Sequence, residues 1–369
     1  MATLSRGMAQ EDRRVGPCHL QHRIAMAPMT RRRAHDDYVA SALMVDYYAQ
    51  KASTPGTLLI SEAIATSTRA SVWQNTTGIY TEEQMSKWEP VVQAVHAKGS
   101  YIFAQLWITG RAAREIAVAA GAEVVSSSDI PWSPEQAVPR PLREDEIWAC
   151  INDFRQAAIN AVAVGFDGVE IHGANGYLVD QFTQDKCNKR TDGWGGSIEK
   201  RARFGIEVSK AVAGAIGPDR VGFRISPWCK HHGMGMDDPV PQFTYLLQEL
   251  QKLNLAYLHI IEARVAGNAD VDLRESIDVF VDAWNNTSPV IVAGGYTAES
   301  AREAVDGKYH DKDVLVAFGR QFISNPDLPF RVKKGIPWTK YNRDTFYEVL
   351  SPNGYTDYKF CPEFREVLG

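Results

Sequence analysis

The feature that most constrains this chain is a set of short apolar runs spread along its whole length. Eight of them stand out: residues 24–28, 57–61, 101–105, 168–172, 221–225, 257–261, 290–294 and 314–318. Near-continuous apolar runs of about five residues suit strands buried on both faces of a parallel sheet. Helix-like stretches lie between them. Residues 82–97 place Met85, Trp88, Val91, Val92 and Val95 at helical spacing, and 144–164 do the same with Ile147, Ile151, Phe154, Ala158 and Ala161. Further stretches cover 202–215, 241–253 and 297–305. Strands alternating with helices predict an α/β fold with a parallel sheet. Periodicity alone leaves two architectures open, a closed (β/α)8 TIM barrel and a large doubly wound sheet. The count of eight, and the lack of a G-x-G-x-x-G turn after any run, favour the barrel.

The 369 residues fall within the range of one such barrel, about 200 to over 400 with insertions. Residues 110–143, after the third run, are long for a connection and hold Ser126, Ser127, Ser128 and four prolines. They read as an excursion over the top of the barrel. No Gly/Ser linker divides the chain, so residues 1–369 are expected to form a single domain.

Lys and Arg total 40 against 45 Asp and Glu, a net charge of −5. That balance lacks the basic footprint of a nucleic-acid binder. Five scattered cysteines, never spaced C-x-x-C, argue against a disulfide framework or zinc ribbon and suit reduced thiols. No apolar run reaches the roughly 18 residues of a membrane span, and the first residues lack a secretory h-region. A cytoplasmic protein without a metal is expected, as a monomer or homodimer.

In TIM barrels the active site lies at the C-terminal ends of the strands, so the residues there carry the functional reading. The first run gives Pro28, Met29 and Thr30; the second Glu62 and Ala63; the third Gln105 and Trp107. The seventh and eighth give Gly294, Gly295, Gly319 and Arg320. Glycines at those two ends let backbone N–H groups approach an anion, and Arg320 adds charge, as in the phosphate sites of many barrels. Barrel loops are often Gly-rich without any phosphate; Arg320 is what tips the reading.

The fourth run ends in His172, with Asn175 and Tyr177 close behind on a Gly-containing turn. His172 and Asn175 can converge as donors on one carbonyl oxygen. Such a pair stabilises the enolate formed when a nucleophile adds to the far end of a conjugated double bond. Tyr177 is placed to deliver a proton. A core His, a turn Asn and a packing Tyr would explain each residue singly, but less well the trio. Gln105 and Arg224 fall near the ends of the third and fifth runs. A Gln and an Arg rarely point into a barrel without a ligand. Gln105 suits the edge of a pyrimidine-like ring and Arg224 an electron-rich N1–C2=O edge. The alternative is a buried Arg–carboxylate pair with Glu62 or Glu170.

At these residues the sequence resembles the old yellow enzyme family of flavin-dependent ene-reductases. The resemblance runs through Ala27-Pro28-Met29-Thr30-Arg31, Gln105-Leu106-Trp107, the stretch from His172-Gly173-Ala174-Asn175-Gly176-Tyr177 to Phe182, Ala293-Gly294-Gly295, Ala317-Phe318-Gly319-Arg320 and Asp344-Thr345-Phe346-Tyr347. Within the family the chain looks most like the fungal chanoclavine aldehyde reductases of ergot-alkaloid pathways. The resemblance implies a (β/α)8 barrel with non-covalent FMN and NADPH as a transient reductant. It implies that Pro28, Met29 and Thr30 line the isoalloxazine and that Ala63 and Gln105 bind its pyrimidine. Arg224 would sit by N1–C2, with Gly294, Gly295, Gly319 and Arg320 on the phosphate. His172 and Asn175 would bind the carbonyl of an enal or enone, Tyr177 would donate the proton, and Trp107 and Tyr347 would line the substrate pocket. A Phe in place of Tyr177 accompanies isomerase behaviour in the related fungal branch, so Tyr177 favours the reductase. Two departures from the family pattern are the segment 1–14 and Trp194 in place of a Tyr.

Three other readings remain at this point. A flavin-dependent isomerase would act on the same substrate class. A flavin-free lyase or aldolase would require a Schiff-base Lys or an acidic metal cluster at a strand end, and no Lys ends any run. A flavin store without activity would not require the His–Asn–Tyr set.

Overall fold

The computed structural model describes residues 13–70, 73–113, 121, 123–267 and 269–368. The first twelve residues, and with them most of the atypical segment 1–14, lie outside that set, as do 114–120 and 122 within the excursion.

Eight strands form the barrel: β1 (Ile24–Met26), β2 (Leu58–Ala65), β3 (Tyr101–Trp107), β4 (Gly168–Gly173), β5 (Val221–Ile225), β6 (Tyr257–Ile261), β7 (Val290–Ala293) and β8 (Val314–Phe318). Each pairs in parallel with its sequence neighbour, and β8 pairs with β1 through Val316↔Ile24, Ala317↔Ala25 and Phe318↔Met26. The ring of eight is therefore closed on itself, the arrangement that removes sheet edges, and only a two-residue strand, Thr77–Gly78, is added outside it on β2. The expected barrel is present, and all eight runs are strands.

The helices include α1 (Ala42–Lys51), α2 (Glu82–His96), α3 (Glu144–Ala163), α4 (Ile198–Ile216), α5 (Val240–Gln251), α6 (Asp278–Trp284), α7 (Ala298–Arg302) and α8 (Leu328–Lys334). Trp88, Val91, Val92 and Val95 of α2 are buried, as the helical spacing requires. The helix starts at a capping box in which Thr81 Oγ1 accepts from Gln84 N–H and the Gln84 side chain returns to Thr81 N–H. The stretch predicted over 297–305 is shorter as an α-helix than expected, because it passes into a π-turn at Glu303–Lys308.

The sequence gives no warning of an antiparallel hairpin, Arg13–Val15 with Cys18–Leu20. Val15, Cys18 and Leu20 cluster with Leu58, Phe103, Tyr257, Ile291 and Leu315. This apolar plug fills the end of the barrel opposite the strand ends that carry the site. All five cysteines are buried and none is bridged. Among the described residues no helix is long and apolar enough to cross a membrane, and no three His, Cys, Asp or Glu side chains gather as metal ligands.

The second run extends further than its apolar pattern suggests. β2 continues through Ser61 and Glu62 to Ala65, with a register shift against β3 between Ile60 and Ala63. Such a bulge re-aims side chains locally. Ala63 then faces the cavity, while Glu62 is buried away from it, its backbone N–H on Tyr48 Oη at 2.8 Å. The carboxylate in contact with Gln105 is accordingly Glu170, at 2.7 Å.

Candidate active site

A cavity of about 1070 Å³ opens at the C-terminal ends of the strands. That volume is at the upper end of small-molecule sites. All fifteen residues singled out from the sequence line it: Pro28, Met29 and Thr30 after β1, Ala63 on β2, Gln105 and Trp107 on β3, and His172, Asn175 and Tyr177 at the end of β4. Arg224 on β5, Gly294 and Gly295 after β7, Gly319 and Arg320 after β8, and Tyr347 near the C-terminus complete the set.

The turn after β4 is built to hold Asn175 in place. Asn175 has φ 58°, a left-handed conformation that Asn tolerates better than most residues. Its N–H donates to Ser226 Oγ at 2.8 Å, and its carbonyl accepts from His232 Nδ1 at 2.9 Å. Gly176 follows at φ +76°, and a Cβ there would lie 2.7 Å from His232 Cβ. Two further polar residues of the same stretch act as struts. Asp180 accepts from Gly176 N–H, and Gln181 Nε2 donates to the carbonyls of Thr109 and Gly176. The Tyr177 ring meets Trp107 edge-on at 4.7 Å and His172 at 4.8 Å. His172 is buried with Nδ1 lacking a partner, and burial, then Arg224, lower its pKa well below the usual imidazole value. It is therefore neutral near pH 7, with one N–H to donate.

Gln105 on β3 and Arg224 on β5 reach the cavity from either side of β4. Arg224 pairs in register with His172 on one side and His259 on the other. Its Nε is buried with no partner. After β7, two strands round the ring from β5, Gly294 and Gly295 take φ of 128° and 65°, and a Cβ on Gly294 would lie 2.9 Å from Glu262 Cβ. Arg320 stands beside them, with Nη1 donating to Asp270 Oδ2 at 2.7 Å. Tyr347 is 39% exposed, which puts it at the mouth rather than on the floor.

His232 is a cavity residue that sequence reasoning missed. Its ring lies 5.4 Å from that of Tyr177. It stands seven positions past the end of β5, in a loop that a search confined to strand ends does not reach. Arg111 holds this loop: Nη2 donates to the carbonyls of His232 and Gly233, and Nη1 to that of Ile130, joining the excursion after β3 to the loop after β5.

Residues 13–339 match the family model described as NADH:flavin oxidoreductase / NADH oxidase family. The chain belongs to that family. This old yellow enzyme is 57% identical over 356 residues to the chanoclavine-I aldehyde reductase fgaOx3 of Penicillium roqueforti (strain FM164), with 96% of each chain covered. It is 50% identical over 355 residues to a protein of Claviceps fusiformis named probable inactive dehydrogenase easA, covering 94% of this chain and 93% of that one. Among solved structures, the old yellow enzyme from Pichia sp. AKU4542 matches with a TM-score of 0.89 at 35% identity, over 96% of this chain and 94% of that one. The protein is a flavin oxidoreductase. Its residues fit a flavin: the partnerless donor Arg224 Nε and the Gln105 amide suit the polar edge of a planar ring, and Gly294 and Gly295 line the cavity with backbone and no side chain.

Proposed function

We propose that this old yellow enzyme is an FMN-dependent, NADPH-driven ene-reductase that saturates the activated C=C bond of an α,β-unsaturated aldehyde or ketone. The observation that carries the reading is the convergence of His172, Asn175 and Tyr177 on the same cavity as Gln105 and Arg224. Bound FMN would supply the hydride that reaches the substrate β-carbon, after taking one from NADPH.

The chain's own residues do the rest. Gln105 and Ala63 would bind the pyrimidine edge and Arg224 the N1–C2 side, with Pro28, Met29 and Thr30 along the other edge. Gly294, Gly295, Gly319 and Arg320 would hold the phosphate. The neutral His172 and the Asn175 amide would donate to the substrate carbonyl oxygen, where negative charge grows as the β-carbon is reduced. Oxyanion donors of this kind contribute about 10²–10³ in rate each. The Tyr177 hydroxyl would give its proton to the α-carbon, and Trp107 and Tyr347 would border the substrate.

The identity to a relative named for chanoclavine-I aldehyde makes that compound the first substrate to try, and ergot-alkaloid-type metabolism the first setting to consider. The test is anaerobic reduction of the yellow protein by NADPH, followed by reoxidation with chanoclavine-I aldehyde and a panel of simple enals and enones. The expected result is reoxidation with one equivalent of saturated product. Rearranged product with no net NADPH consumption would establish an isomerase instead, and failure of every compound to reoxidise the protein would sink the proposal.

A further inference from the structure

Beneath the cavity the barrel interior holds a carboxylate that takes no part in the chemistry above. Glu170, on β4, is wholly buried. It accepts from Gln105 Nε2 at 2.7 Å, His259 Nδ1 at 2.8 Å and Tyr257 Oη at 3.1 Å. Gln105 is its register partner on β3. Tyr257 reaches it from two strands away, because the intervening residue on β5 is Gly222. A Cβ on Gly222 would lie 2.1 Å from the Tyr257 ring. TIM-barrel interiors are mostly filled by branched apolar side chains, and an ion buried there is costly unless bonded on several sides. Burial alone would favour the neutral acid, but His259, Arg224 and Gln105 outweigh it and hold the carboxyl below its ordinary pKa.

The consequence falls on Gln105. Its amide has a donor end and an acceptor end on one carbon. A carboxylate only accepts, so Glu170 claims the nitrogen, and the reverse orientation would set two oxygens against each other. The end left for the cavity is the carbonyl oxygen. Beside it Arg224 offers only donors.

We propose that Glu170 is a positioning residue that commits Gln105 to be an acceptor, so that Gln105 and Arg224 together select a ring edge with an N–H next to an electron-rich acceptor, as the imide side of a flavin presents. This inference rests on the flavin reading and adds to it the group that sets the polarity of recognition.

Full-length protein freed of flavin is titrated with FMN and with N3-methyl-FMN, which lacks the imide N–H. The wild type should prefer FMN by about tenfold or more, the worth of a buried hydrogen bond together with the penalty for an unpaired carbonyl. In Glu170→Gln the new amide can donate, Gln105 is free to turn, and the preference should shrink toward unity. Glu170→Asp keeps the charge but shortens the reach; it should shrink the preference too, and it carries the test if Glu170→Gln does not fold. Tyr257→Phe removes a different donor from the same carboxylate and should leave the preference unchanged. A folded Glu170 variant with the wild-type preference, or an equal loss in Tyr257→Phe, overturns the proposal. A wild-type protein that binds FMN tightly but does not discriminate overturns it while leaving the flavin reading intact; one that takes up no FMN overturns both.

Discussion

Tyr177 and His172 are neighbours whose environments differ in a useful way. His172 is buried beside a cation and stays neutral, so it can donate without itself being an acid at neutral pH. Tyr177 packs against Trp107, Trp73 and His232 at the cavity wall. Tyr177→Phe should leave reduction by NADPH intact and slow reoxidation by an enone by about 10²-fold or more, the usual worth of a general acid. Stopped-flow measurement of the two half-reactions separates them; an unchanged reoxidation rate removes Tyr177 from the chemistry. These residues were legible in the sequence because they crowd one strand end, where a barrel puts its site. His232 was not, because nothing in a His-His pair within a loop announces that Arg111 will fold it back over Tyr177. Glu170 was read only as a possible partner of Arg224. Its bonds to Gln105, Tyr257 and His259 depend on the barrel's inward parity and on the missing side chain of Gly222, which only the closed sheet reveals.

Two elements illustrate what holds the scaffold. Helix α2 begins with a reciprocal cap, so Thr81→Ala should cost about 1 kcal/mol, read as a lower urea midpoint with unchanged slope. A value near zero would mean that the Gln84 side chain alone supports the turn. The segment after α8 that carries Phe346 and Tyr347 has no strand to pair with. Arg33, fully buried, donates to the carbonyls of Thr345, Phe346, Ser351 and Asn353, and Arg31 to those of Phe346 and Gly354. Arg33→Met should leave the buried Thr345 carbonyl without this donor, at a cost of about 1–3 kcal/mol. Faster hydrogen exchange confined to residues around 345–354, with a higher KM for the substrate, is the expected pattern; exchange like that of the wild type would show that other contacts hold the segment. The eight barrel strands and helices α2, α3, α4 and α5 were readable from periodicity, whereas α1, α6, α8 and the hairpin at 13–20 were not. The bulge in β2 was not, since Ser61 and Glu62 look like the end of a strand until their partners on β3 are known.

At the scale of the whole molecule, the interior is not uniformly apolar, and one buried acid gives stability a slope with pH. Glu62 has both oxygens buried without partners, and burial pushes its pKa up to about 8 against the pull of Arg31 and Arg33. In the unfolded chain it titrates near 4.5. Between those values the native state keeps a proton that the unfolded chain has lost, so stability on this account falls as pH rises from 4.5 to 8. The melting temperature of Glu62→Gln, relative to wild type, should therefore climb across that window by about 3 °C or more. A difference that stays constant with pH would show that Glu62 does not titrate there.

The closure of β8 on β1 also has a consequence in time. Residues 28–30 and 319–320 border one cavity yet lie at opposite ends of the chain, on strands that become neighbours only when the ring shuts. A polypeptide leaving the ribosome has its first strand long before its last. Until β8 emerges, β1 waits with one flank unpaired and the cradle at Gly319 does not exist. Flavin uptake would therefore wait until most of the chain has been made, and a nascent chain stalled before residue 314 would keep an unpaired strand edge, a liability for aggregation.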